Sequence, residues 1–141
     1  MPRTNRTWRA AETRLLAEWL ARHHPDAETY QRVRVGRLHP DLEVPGLTPA
    51  EVRLLGVWRR WVDAVVVEPD EVILVEASIR PDPAKIGQLD LYMRLFPATP
   101  EFQHVRDRPL RGALVYAMPD PVIPHLAAER GYTCHLSLIH I

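Results

Sequence analysis

Cysteine occurs once in the 141 residues, at Cys134, so no internal disulfide is available and the chain suits a reducing compartment. Lysine also occurs once, at Lys85, and asparagine once, at Asn5; every other basic residue apart from histidine is arginine. A chain that uses arginine elsewhere raises the question of what Lys85 does that arginine would not. An excess of charge of one sign is missing too. The 18 basic and 18 acidic residues cancel, so a site for a polyanion has to come from local clustering. No apolar run approaches the roughly 18 residues that a bilayer span needs. The basic stretch behind Met1 lacks the apolar segment of a secretion signal. These absences predict a cytoplasmic protein with no membrane partner, or a virion-associated one if the source is viral.

Hydrophobic residues make up 46% of the chain, enough for one core, and the length fits a single domain over residues 1–141. Trp8, Ala11, Leu15, Leu16, Trp19 and Leu20 recur at helical spacing and predict a helix over 8–23, capped by Thr7 and followed by Pro25. Polar and apolar residues alternate over 30–35, as in a half-buried strand. Residues 39–48 read as a loop, and Thr48-Pro49-Ala50-Glu51 as the start of a short helix ending near Gly56 or Trp58. Two β-branched runs, 60–67 and 71–78, flank Glu68-Pro69-Asp70-Glu71 and predict a hairpin. A second long helix is expected over 83–96, a buried strand over 111–117, a short helix over 121–130 and a last strand over 132–139. The fold class is therefore α/β.

The hairpin carries the chemistry. With the turn centred between Pro69 and Asp70, Asp63 faces Glu76 directly across the two strands. Residues so placed have Cβ atoms about 4.5–5.5 Å apart, and like charges there repel. Their neighbours are apolar, so the two anions cost free energy unless a cation joins them or one takes a proton. Oxygen ligands at this separation suit Mg2+ or Mn2+. The plainer reading is a pair of acids bridged by Arg59, Arg60 or Arg80, and a one-residue slip would send the two to opposite faces. On the following helix Lys85, Gln88 and Tyr92 stand at i, i+3 and i+7 and share a face. An amine, an amide and a phenol beside two carboxylates suit phosphodiester chemistry; alternatively they are a solvated helix face.

The element order, with Trp61-Val62-Asp63-Ala64-Val65-Val66 on one strand and Val75-Glu76-Ala77-Ser78 on the next, resembles the core of the PD-(D/E)XK nucleases over most of the chain. Gln88-Leu89-Asp90-Leu91-Tyr92 is similar to the Gln-x-x-x-Tyr motif of their RecB-like branch. The resemblance implies a restriction-endonuclease-like core of order α-β-β-β-α-β, with a mixed central sheet flanked by helices, plus a C-terminal helix and strand. It implies a metal-dependent deoxyribonuclease in which Asp63, Glu76 and a glutamate of the first helix, Glu12 in preference to Glu18, hold Mg2+ or Mn2+. Gln88 and Tyr92 would assist catalysis, and Ser78 and Arg80 would contact DNA. The family's lysine should stand at Ser78; Lys85 is placed to replace it from the helix. If it does not, the alternative is a catalytically degenerate nuclease fold, a DNA-binding or structural component of a homo-oligomer or larger assembly. A third reading is a subunit whose site works beside a DNA-binding partner.

Arg3, Arg6, Arg9, Arg14, Arg32, Arg34 and Arg37 form either a phosphate-contacting surface or a mixed solvated one. Glu18 suits a surface ion pair with Arg14 or Arg22. His23-His24 and Cys134-His135 lack the spacing of a zinc site. Trp58 and Trp61 are expected to be core anchors rather than base-stacking platforms.

Overall fold

The computed structural model describes residues 5–36, 48, 50 and 61–137, and of residues 5–8 only the backbone. The first segment forms α1 (Asn5–His23), whose buried Leu15, Leu16, Trp19 and Leu20 make one stripe at helical spacing. Thr7 lies inside this helix, so it is not the cap. Three strands follow as an antiparallel meander: β1 (Glu28–Arg34), β2 (Trp61–Val67) and β3 (Val72–Ser78). The helix expected from Thr48 onward falls outside the described residues, Thr48 and Ala50 excepted.

The β2–β3 turn is closed by Glu68 N–H donating to the Glu71 carbonyl at 2.9 Å. Beyond β3 comes α2 (Pro83–Leu95), where Asp82 caps by accepting from the Ala84 N–H at 2.9 Å and Pro83 takes the first helical position. Two 3-10 turns, Phe96–Ala98 and Pro100–Val105, follow this helix. The chain then runs through β4 (Leu110–Tyr116), α3 (Ile123–Glu129) and β5 (Thr133–Leu136). Residues 138 and 139, expected to continue the last strand, lie outside the described residues.

The sheet order is β1-β2-β3-β4-β5, with β3, β4 and β5 parallel, giving the mixed sheet flanked by helices that the sequence predicts. All of β3 is buried, which is why its sequence runs almost wholly apolar. Ile73, Val75 and Ala77 pack with the α1 stripe, whereas Val72 and Leu74 pack with Ile86, Leu89 and Tyr92 of α2. By alternation Glu76 shares the α2 face. Each buried valine or leucine contributes about 1.5–3 kcal/mol, so a strand this apolar holds Glu76 firmly in place. Among the described residues no helix is long and apolar enough to cross a membrane.

At Gly112 of β4 an added Cβ would stand 2.7 Å from the Tyr132 ring and 2.9 Å from Leu89. Tyr132 is anchored by its hydroxyl to Asp90, which also pairs with Arg130, so the ring has little freedom to retreat. Gly112→Ala is therefore expected to destabilise by about 1–3 kcal/mol, read as a lower denaturant midpoint at unchanged m-value.

Candidate active site

The β2–β3 pairs run from Val67↔Val72 to Ala64↔Val75, so the next position sets Asp63 against Glu76, the register predicted from the turn. The ladder stops there because the Asp63 carboxylate replaces it: Oδ2 accepts the Ala77 N–H at 2.8 Å. Lys85 Nζ lies 3.6 Å from Asp63 Oδ2 and 3.8 Å from Glu76 Oε2. The Asp82 cap and Pro83 set this reach by starting α2 right after the strand, with Lys85 in its first turn. A cation there opposes the helix dipole by about 0.3–1 kcal/mol, so the carboxylates, not the helix, favour lysine at this position.

Glu76 is 1% exposed, and neither carboxylate oxygen has a hydrogen-bond partner. Burial, reinforced by Asp63 beside it, pushes its pKa up to about 10 against the opposing pull of Lys85. Without a metal ion, Glu76 therefore keeps its proton at neutral pH. Glu12 is also raised, first by burial and then by Asp63, with Lys85 lowering it. For Lys85, burial favours the neutral amine, but Glu76, Asp63 and Glu12 outweigh it and raise its pKa, so the ammonium persists.

Glu12, Asp63, Ala77 and Lys85 line a cleft of about 430 Å³ together with Arg9, Gln31, Arg32 and Trp61. The other predicted site residues stand apart from it. Ser78 is buried at the end of β3, in register with Tyr116, and Arg80 is exposed beyond it. Gln88 is half-buried on α2. Tyr92 is in the core with Leu89 and Phe96, not in the cleft. The reason is helical rise: the shared face starts at the cleft but passes under the sheet within two turns.

Arg32 was foreseen as one of a set of arginines of a phosphate-contacting or solvated surface, whereas Gln31 and Trp61 were not foreseen in the cleft. Trp61, read as a core anchor, is 42% exposed, because it opens β2 next to the edge strand β1. Elsewhere, Arg14 Nε lies 3.4 Å from Glu18 as expected, and His23, His24 and His135 surround the Trp19 ring.

Among the described residues no three His, Cys, Asp or Glu side chains form a group that could hold a metal ion. The donor set nevertheless fits a hard divalent ion. Two carboxylates converge, one with both oxygens buried and without a hydrogen bond. Mg2+ commonly takes one or two protein carboxylates and completes its shell with water and substrate oxygens.

No family model and no curated protein sequence matches the chain. Solved structures do share its fold. A repair endonuclease from Pyrococcus abyssi aligns with a TM-score of 0.54 at 14% identity, over 89% of this chain and 46% of that one. EndoMS in its complex with double-stranded DNA gives 0.51 at 15% identity, over 91% and 45%. A crystallised protein of unknown function gives 0.52 at 11% identity, over 86% and 56%. The chain thus spans about half the length of the structures it matches, and what it shares with them is an endonuclease-like α/β fold with a five-stranded mixed sheet between helices.

Proposed function

We propose that the chain is the hydrolytic domain of a metal-dependent DNA phosphodiester hydrolase of the PD-(D/E)XK type. The observation that carries this reading is the convergence of Asp63 and buried Glu76 on Lys85, with Asp63 and Lys85 lining the cleft and neither Glu76 oxygen hydrogen-bonded. DNA as the substrate is supported by the fold shared with a repair endonuclease and with EndoMS in its DNA complex.

Asp63 and Glu76 would hold Mg2+ or Mn2+, which would supply Lewis acidity toward a phosphate oxygen and acidify a bound water. To hold such an ion Glu76 would have to give up its proton, and binding would then be coupled to proton release. The Ala77 N–H holds Asp63 in its ligating orientation. Lys85, its pKa raised by the acidic residues around it and paired with Asp63 at 3.6 Å, stabilises the charge that develops on the phosphate and thereby fills the role of the family lysine absent at Ser78. Glu12, on the cleft wall with its pKa raised by burial, would exchange a proton with water there.

The test is a cleavage assay on linear, nicked, branched and single-stranded DNA. Cleavage with Mg2+ or Mn2+ and none in EDTA is the expected result. No cleavage of any substrate with either metal would favour the degenerate nuclease fold, acting as a DNA-binding or structural component.

A further inference from the structure

Among the described residues Arg32 is the non-glycine residue with a positive φ, +54°. It lies in β1 opposite Asp63: Gln31↔Ala64 and Val33↔Val62 are paired on either side, while Arg32 and Asp63 are not. A left-handed arginine inside a strand is strained, and such strain persists where the surrounding structure imposes it. Its effect here is to break the alternation of the strand. Gln31 and Arg32, which a regular strand would send to opposite faces, both line the cleft that holds Asp63 and Lys85.

Arg32 and Trp61 also line a second groove, of about 420 Å³, shared with Tyr30, Arg34, Phe102 and Glu101. Trp61 and Tyr30 are 42% and 41% exposed. The Arg34 guanidinium lies 4.5 Å from the Trp61 ring centre and that of Arg32 5.9 Å away, while Tyr30 stands edge-on to Phe102 at 5.3 Å.

We infer that this second groove binds an unpaired nucleotide of the strand being cut, with the base stacked on Trp61 and the flanking phosphates neutralised by Arg32 and Arg34. The inference rests on the nuclease reading and deepens it. An exposed indole ringed by arginines offers both a stacking surface and charge for a polyanion. The two grooves meet at Arg32 and Trp61, so a base held in one lies next to a phosphate held in the other. A base inside a duplex has both faces covered by its neighbours, so only an unpaired or extruded base presents a free face to the indole. Glu101, the acid that lines the groove, suits the amino group of a base and disfavours a phosphate beside it.

The test is the binding of a labelled single-stranded oligonucleotide to the full chain in EDTA, where cleavage cannot intervene. An intact strand should bind about 10-fold or more tightly than the same strand carrying abasic sites, the scale of one stacked base. Trp61→Ala should remove that preference, and Trp61→Phe should restore part of it. Arg32→Gly, which keeps the left-handed backbone without strain, should weaken binding and flatten its salt dependence while the melting temperature holds or rises. Equal affinity for intact and abasic strands, absence of binding included, would overturn the inference, as would Trp61→Ala binding like wild type. Base-dependent binding without metal-dependent cleavage would support this groove and sink the nuclease reading; cleavage without base-dependent binding would do the reverse.

Discussion

Glu76→Gln is expected to lose metal-dependent cleavage and, in EDTA, to melt at a higher temperature than the wild type. Losing a carboxylate ligand removes charge stabilisation worth several kcal/mol, a rate loss of about 1,000-fold or more. The stability gain follows from the raised pKa. Folded Glu76 holds its proton up to about pH 10, whereas the unfolded chain releases it near the ordinary 4.5. Between those values unfolding releases a proton, so the wild type loses stability as pH rises. Glutamine carries no such penalty, and the difference in melting temperature should widen from about pH 5 to about pH 9. Asp63→Asn should lose cleavage equally. It should not gain stability, because Asp63 is the nearer of the two acids that pair with Lys85. Thermal melts at several pH values beside the cleavage assay check both parts. A lower melting temperature for Glu76→Gln would mean that Glu76 is ionised and serves as a structural partner of Lys85.

Lys85→Ala is expected to lower the turnover rate by about 100- to 1,000-fold, the cost of removing one group that stabilises transition-state charge. DNA affinity should change little, which marks an interaction made mainly in the transition state. Lys85→Arg should recover only part of the loss, because a planar fork does not occupy the volume of a compact ammonium. Ser78 shares the Glu76 face of β3, so Ser78→Lys combined with Lys85→Ala should restore some activity. Single-turnover rates and equilibrium binding separate the two effects. Full activity in Lys85→Ala would make the lysine a counter-ion and nothing more.

The register of Asp63 against Glu76 was legible because a four-residue turn between two β-branched runs leaves little freedom in pairing. Lys85 was legible as an exception in composition and as a first-turn residue of a helix opened by Pro83. The fate of Tyr92 was not, because helical spacing defines a face without saying how far along it the open cleft ends and the core begins. Trp61 was misjudged for a related reason. Its side chain would be buried in a central strand, but β1 beside it is the last strand of the sheet among the described residues, and edge positions stay open. Arg32 was legible as one of a set of arginines, but its left-handed conformation was not, since that is imposed by what surrounds it rather than by its own preference.

The kink at Arg32 has a bearing on self-association. A straight outer strand displays a row of free amide and carbonyl groups on which another chain can add a strand of its own, the usual opening step of aggregation. Among the described residues β1 is the outer strand, and its regular conformation is interrupted at left-handed Arg32, with Glu28, Arg32 and Arg34 placing charge along it. The distortion that sets Arg32 on the cleft thus also interrupts the regular edge on which a second copy of the chain would have to add a strand.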